Sequence, residues 1–274
     1  MNKIIESIKN CTLAPGQTAM WYLGQEGFLF KHNGCYLLID PYLSDYTDRN
    51  CCQFVKWERL YPAPVDPAEL DFVDAVLCTH SHYDHADPDT LPAVMNASPN
   101  AVLIVPAPEK ETIAAYGIDT GRIVPAYADT PLQAAGLTIT PVPSAHECFH
   151  TDDAGNYREL GYILDTGCGR FFHAGDMCMY DSLTDRLQDI DIAFLPINGR
   201  DYFRNRNDII GNFTCEEAVL LAQEIGTGML VPMHYDLYEV NRVSPAVFAD
   251  VLSRLNPAQS CHCFTPGERY IFAR

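Results

Sequence analysis

Between Thr79 and His85 the chain reads Thr79-His80-Ser81-His82-Tyr83-Asp84-His85, which puts three imidazoles and a carboxylate into six residues. Neutral imidazole and carboxylate are ligands of a zinc-like divalent ion, and a catalytic metal site needs several of them converging around a position left open for water. The preceding stretch, Val73-Asp74-Ala75-Val76-Leu77-Cys78, is apolar and strand-like. Alternate side chains of an extended segment share a face, so His80 and His82 can grip one ion from the strand end. The chain then turns, and Asp84 and His85 can reach a second ion. Helical metalloproteases instead space their two imidazoles one helical turn apart in a His-Glu-x-x-His pattern. With nine His in 274 residues, three in one short loop predict a two-metal hydrolytic centre rather than chance.

Two ions need more ligands than this run supplies. Three further candidates each close an apolar, strand-like segment. His146 follows residues 137–143 in Ser144-Ala145-His146-Glu147, Asp176 ends Phe171-Phe172-His173-Ala174-Gly175-Asp176, and His234 ends Met229-Leu230-Val231-Pro232-Met233-His234. An α/β fold gathers its active-site loops at such strand ends. A single strand-end His is ordinarily structural; the order and placement of the whole set carry the argument.

That set, a His-x-His-x-Asp-His loop followed by a later His, an Asp and a final His, resembles the metallo-β-lactamase superfamily. The resemblance implies an α/β (α+β) fold of one domain over 1–274, a four-layer αββα sandwich of two sheets with helices outside. It also implies that His80, His82 and His146 hold a first metal, that Asp84, His85 and His234 hold a second, and that Asp176 bridges them. Asp40, in Tyr36-Leu37-Leu38-Ile39-Asp40-Pro41, matches the superfamily's early Asp, which orients the metal loop through a ligand's other ring nitrogen. A turn-forming Asp before Pro41 is the alternative. Flavin-associated di-iron members carry Glu where this chain has His82, which disfavours oxygen or nitric-oxide reduction. Ala86-Asp87-Pro88-Asp89-Thr90-Leu91 also departs from the Gly-Gly that usually follows the metal loop in glyoxalase II-like thioesterases.

A closer resemblance is to the L-ascorbate-6-phosphate lactonase group, over about residues 19–245. It rests on the segment from Ala19 to Phe28, the lead-in from Asp74 to His80, His173-Ala174-Gly175-Asp176, and His234-Tyr235-Asp236-Leu237-Tyr238. Set against that group, the chain is expected to be without its long N-terminal extension and loop insertion, and its segment from Ser144 to His150 differs. The resemblance implies opening of a sugar lactone or sugar-phosphate lactone. The alternatives are a phosphodiesterase or other hydrolase of a small anionic substrate, and a metal-binding sensor with little turnover.

The ligand set suggests a mechanism. Two divalent ions lower the pKa of a bound water from about 15.7 toward about 7 and polarise the scissile carbonyl. Asp84 is the expected proton carrier, and Tyr235, beside His234, is either a proton donor or a packing residue. Mixed imidazole and carboxylate ligands suit zinc or manganese, with iron also open.

Composition narrows the partners. Lys and Arg number 18 against 36 Asp and Glu, a formal charge of −18 that argues against nucleic acid and disfavours anionic membranes. An anionic small substrate would need local cations, and Arg200, Arg204 and Arg206 form the one conspicuous cluster. Guanidinium forks suit phosphate or carboxylate, so Arg200 and Arg204 are candidate substrate contacts, unless the loop is solvated and its arginines pair with nearby acids. The charged N-terminus has no signal-peptide core, and no apolar stretch approaches a membrane span. Eleven scattered Cys are simplest in a reducing cytosol, and neither Cys51-Cys52 nor Cys261-His262-Cys263 has zinc-knuckle spacing. Homo-oligomerisation is implied only by the lactonase resemblance.

Strands are expected near 19–23, 27–31, 35–40, 74–79, 102–106, 137–143, 160–165, 170–175, 191–196 and 229–233. Helices are expected near 88–96, 108–116, 214–225 and 244–255, with Thr214 and Ser244 as N-caps. Pattern alone gives only mixed α and β.

Overall fold

Apolar strand segments and amphipathic helices sort into four layers in the computed structural model, which describes residues 2–51 and 55–274. Cys52 of the Cys51-Cys52 pair therefore lies outside the described residues. The first sheet contains β1 (Thr18–Gly24), β2 (Gly27–His32), β3 (Cys35–Ile39), β4 (Ala75–Leu77), β5 (Val102–Pro106), β6 (Ile123–Ala126) and β13 (Arg269–Phe272), in the order β13-β1-β2-β3-β4-β5-β6. The second contains β7 (Leu132–Ala134), β8 (Leu137–Pro143), β9 (Leu160–Asp165), β10 (Arg170–His173), β11 (Ile192–Pro196) and β12 (Met229–Met233), in the order β12-β11-β10-β9-β8-β7. The helices are α1 (Lys3–Lys9), α2 (Tyr46–Asn50), α3 (Thr90–Ala97), α4 (Lys110–Ala114), α5 (Leu183–Arg186), α6 (Tyr202–Asn205), α7 (Cys215–Glu224) and α8 (Pro245–Leu255).

Local chemistry explains the joints. β2 and β3 form an antiparallel hairpin across Asn33-Gly34, both at positive φ (48° and 85°), the backbone that Asn-Gly supplies most readily. β3 to β6 run parallel and need crossovers, two of which use α3 and α4. Thr214 caps α7 with a reciprocal capping box to Glu217, and Ser244 caps α8 ahead of Pro245.

β1, β2, β11 and β12 are buried along their whole lengths, as strands covered on both faces must be. Between the sheets, Met20, Tyr22, Phe28, Phe30, Leu37 and Ile39 share one cluster with Ile139, Phe171, Phe172 and Phe194. Phe194 closes on Phe28 edge to face, with ring centroids 4.6 Å apart. The other face of the first sheet packs Trp21, Leu29, Leu38 and Val76 against Ile5 and Ile8 of α1 and Leu91 and Val94 of α3. α7 and α8 add Val219, Leu221, Phe248 and Val251 beyond the second sheet. The fold is the αββα sandwich.

Some elements differ from the sequence expectation. β6, β7, β13, α1, α2, α5 and α6 were not anticipated; all seven are short, and β7 and β13 are partly exposed sheet edges. The expected helix over 108–116 is a 3₁₀ turn, Ala107–Glu109, followed by α4. Among the described residues no helix is long and apolar enough to cross a membrane.

Because Phe194 fills the contact between the sheets, Phe194→Ala should cost about 3–5 kcal/mol in denaturant unfolding. Leu220→Ala, at a position that is 49% exposed on α7, should stay within about 0.5 kcal/mol, and equal costs would contradict this placement of the core.

Candidate metal centre

The site begins where β3 and β4 release their chains. Asp40, fully buried at φ 43°, donates its N–H to Leu77 O (2.9 Å). Its Oδ1 accepts from Thr79 N (2.8 Å), and its Oδ2 accepts from Thr79 Oγ1 (2.7 Å) and lies 2.8 Å from His85 Nδ1. With Thr79 Oγ1 donating to Asp40, it can accept from His80 Nδ1 at 3.0 Å. Both rings then carry their proton on Nδ1 and turn Nε2 inward.

The other strand ends close around this loop. His146 follows β8, Asp176 follows β10 and His234 follows β12. Gly175 has φ 62°, and a Cβ there would stand 2.7 Å from Thr79 Cβ, so the Asp176 loop reaches the metal loop only because residue 175 is Gly. Asp176 Oδ2 lies 3.3 Å from His146 Nε2, 3.5 Å from His85 Nε2 and 3.8 Å from His80 Nε2. Its Oδ1 lies 3.4 Å from His234 Nε2 and accepts from Asn212 Nδ2 at 2.7 Å. His80 Nε2 and His82 Nδ1 are 2.8 Å apart, and His234 Nε2 is 3.4 Å from Asp84 Oδ2.

Among the described residues, His80, His82, His146 and Asp176 form one group that could hold a metal ion and Asp84, His85 and His234 a second, while Glu26 falls in two further groups, with Asp40 and His173 and with His85 and Asp176. Within each group the candidate atoms lie within 4.8 Å of one another. All seven sequence candidates meet at one place, and Asp176 faces both groups. The donor set fits divalent ions: imidazole and carboxylate atoms converge, and His85 Nε2 is buried there with no hydrogen-bond partner.

The protonation states follow from burial and neighbours. Burial pushes His80 well below the usual imidazole range and brings His146 down to about 4, leaving both neutral. Burial alone would raise Asp176, but His234, His85 and His146 outweigh it and hold the carboxylate well below its usual range. Conversely, Asp176 and Asp84 overcome burial to raise His85 and His234, so in metal-free protein these two rings hold protons that a cation would displace.

A cavity of about 320 Å³ opens onto His82, Asp84, His146, Asp176 and His234. Val55, Trp57, Tyr83, Ile209 and Ile210 give it an apolar side, Thr47, Asn207, Asp208 and Asn241 add polar groups, and no Lys or Arg is among its described lining residues. Arg200 and Arg204 stand elsewhere. Arg200 grips Glu217 through two bonds (2.8 and 2.6 Å) and Asn212 O (2.8 Å), while Arg204 Nε bonds Asp201 Oδ2 at 2.6 Å. Their expected role as substrate contacts is corrected to loop fastening. Arg206 reaches Tyr202 OH at 3.3 Å.

Of the two roles expected of Tyr235, proton donor or packing residue, its surroundings fit packing. It is absent from the cavity, lies in the core cluster, and is pushed up by burial first and then by Cys263. Its neighbours there include Cys263 and Cys261, away from the ligand groups. His173 is a packed residue: its Nδ1 accepts from Gly175 N (3.2 Å) and its Nε2 reaches Glu26 O (2.9 Å). His262 bonds Glu268 at 2.8 Å instead of joining Cys261 and Cys263 in a metal site.

The sequence reading assigned no role to Gln25 or Glu26, in the turn between β1 and β2. Gln25 Nε2 lies 2.8 Å from Asp84 Oδ2 and 3.0 Å from His234 Nε2. Glu26 is fully buried 3.6 Å from His85 Nδ1, and neither carboxyl oxygen has a hydrogen-bond partner. The available signal was a pair of polar residues, flanked by Gly24 and Gly27, between the apolar runs Ala19-Met20-Trp21-Tyr22-Leu23 and Phe28-Leu29-Phe30.

The chain belongs to the metallo-β-lactamase superfamily: the family model described as a beta-lactamase superfamily domain matches residues 36–235. A protein of Aeropyrum pernix, named as a UPF0173 metal-dependent hydrolase, is 27% identical over 266 residues, covering 92% of this chain and 96% of its own. A Salmonella heidelberg protein named "Probable L-ascorbate-6-phosphate lactonase UlaG" is 23% identical over 272 residues, covering 88% and 75%. The structure of Igni18, a metallo hydrolase from Ignicoccus hospitalis, shares the fold with TM-score 0.67 at 22% identity, covering 94% of this chain and 99% of that one.

Burial and the neighbouring Asp176 raise the Glu26 carboxyl well above its usual range, His85 only partly opposing them. The folded state then binds this proton more tightly than the unfolded state. Stability from Glu26 is present below about pH 4.3 and is lost as pH rises toward the folded value. In metal-free protein, Glu26→Gln should therefore gain about 1–3 kcal/mol over the wild type between pH 5 and pH 8. Thermal melts in which the difference does not change with pH would contradict this.

Proposed function

We propose that this chain is a dinuclear metal-dependent hydrolase that opens an uncharged lactone. The reading is carried by one observation: seven side chains from four strand-end loops converge in two groups around Asp176. His80, His82 and His146 would hold one ion, Asp84, His85 and His234 the other, and Asp176 both. Zinc and manganese suit the donors best, with iron also compatible. Divalent ions bound there supply Lewis acidity, which activates water and polarises a carbonyl.

The chain's own residues do the rest. Asp40 and Thr79 fix the tautomers of His85 and His80, and Asn212 fixes the Asp176 carboxylate. Asp84 lines the cavity and stays ionised, since His85 and His234 outweigh the cost of its burial. It is the group placed to take the proton from attacking water and return it to the departing ring oxygen. Hydroxyl adds to the acyl carbon, the ring C–O bond breaks, and the ring oxygen leaves with the proton as a tethered alcohol. Val55, Trp57, Ile209 and Ile210 supply an apolar wall that excludes water from the substrate body.

Likeness to the lactonase of Salmonella supports lactone as the scissile group. The cavity supports a departure from that protein's phosphorylated substrate, because Arg200 and Arg204 are committed to Glu217 and Asp201. The formal charge of −18 agrees with a small-molecule partner rather than nucleic acid.

A pH-stat screen of zinc- or manganese-loaded protein tests this reading. Alkyl-substituted neutral lactones should show kcat/KM at least about tenfold above phosphorylated sugar lactones, with no turnover of bis-p-nitrophenyl phosphate. Cleavage of the phosphodiester alone would overturn it. Arg200→Ala should leave KM within about twofold for every substrate while costing about 1–3 kcal/mol of stability. A rise in KM confined to phosphorylated substrates would restore Arg200 to the substrate site.

A further inference from the structure

We infer that Gln25 is an additional, neutral ligand of the second metal, its side-chain amide oxygen joining Asp84, His85 and His234. The inference rests on the dinuclear reading above. Three observations carry it.

The first is distance. The terminal Nε2 of Gln25 stands 2.8 Å from Asp84 Oδ2 and 3.0 Å from His234 Nε2, and those two atoms are 3.4 Å apart. Donor atoms that share an ion at about 2.0–2.2 Å are separated by about 2.8–3.6 Å, so the three atoms have the dimensions of one face of a coordination shell.

The second is an unpartnered atom. Gln25 is 1% exposed, and its Oε1 is buried without any hydrogen-bond partner. The two ends of a primary amide have the same shape and exchange by a half-turn about the last side-chain bond. With no ion present, the NH₂ end donates to Asp84. Once a cation stands between Asp84 and His234, the oxygen end has a partner only by turning toward it. One side chain thus serves the loaded and unloaded site in its two orientations.

The third is a strained backbone with many ties. Gln25 sits at φ 58°, a left-handed conformation that a non-glycine residue adopts at a cost. Its N–H donates to Tyr61 OH (3.3 Å), and its carbonyl accepts from His234 N (2.9 Å) and Tyr22 OH (3.2 Å). Both tyrosine hydroxyls also reach Asp236 Oδ1, at 3.0 Å from Tyr22 and 2.8 Å from Tyr61. The chain from 234 to 236 therefore fixes the turn that carries Gln25 as well as presenting His234. A residue held this firmly in a costly conformation, with its amide against two ligand atoms, is built to act there.

The competing role is that of a permanent donor to Asp84, and Gln25→Glu separates the two. A carboxylate supplies a ligand oxygen but no donor, and it repels Asp84 when no ion is present. Metal-stripped full-length protein would be titrated calorimetrically with zinc and with manganese, with the visible spectrum of the cobalt form as a second readout. The wild type should take two ions. Gln25→Ala should weaken the second by about tenfold or more, leave the first unchanged, and alter the cobalt spectrum. Gln25→Glu should bind the second ion more tightly than Gln25→Ala. Gln25→Met, near-isosteric and without donor or carbonyl, replaces the Ala variant if that one does not fold. Unchanged second-ion affinity in the Ala or Met variant, or a Glu variant weaker than either, would overturn the inference while leaving the two-ion reading intact. A wild type that binds fewer than two ions would overturn both.

Discussion

The arrangement depends on concentrating charge in a place with little water. Asp40 and Asp176 are buried, Asp84 is half-buried, and His80, His85, His146 and His234 pack against them at the ends of the sheets. Burying a charged group is costly unless it is paired: the downward shift of His80 records that cost, while the shifts of Asp176 and His85 run against burial and record pairing that outweighs it. Most of the local construction reduces it. Asp40 ties the loop between Thr79 and His85, Asn212 supplies a donor to Asp176, and Gly175 lets two loops approach to a distance that a Cβ would forbid. Divalent cations would complete the neutralisation. The two sheets act as the rigid frame that holds these loops together.

Much of this centre was legible in the sequence because metal ligands obey spacing rules. His80, His82, Asp84 and His85 lie in one loop, and His146, Asp176 and His234 each stand just past a strand that the apolar pattern predicted. The strands that carry them are long enough, or apolar enough, to leave a mark. β7 and β13 are short edges stabilised by pairing with β8 and β1, which is tertiary information. Gln25 and Glu26 were missed because their roles arise from approach to residues 59 or more positions away, and a Gly-bounded turn reads as an ordinary hairpin.

The misreadings are physical too. Arg200 and Arg204 looked like free cations in a loop, but Arg200 meets Glu217 on the first turn of α7 and Arg204 meets Asp201 at the cap of α6. An acidic chain supplies internal partners for its few arginines, so a basic cluster in it is weak evidence for an anion site. Tyr235 follows His234 in sequence but packs into the core instead of lining the cavity. With these two arginines paired elsewhere, the described lining of the cavity holds the metal-site residues, apolar side chains and the neutral or acidic polar groups of Thr47, Asn207, Asp208 and Asn241.

The central claim is that Asp176 is shared by two ions, and anomalous diffraction at the metal edge tests it most directly. Crystals of protein loaded with zinc or manganese should give two peaks, one among His80, His82 and His146 and one among Asp84, His85 and His234, with the Asp176 carboxylate between them. A single peak, or two peaks that leave Asp176 without a metal contact, would contradict the account.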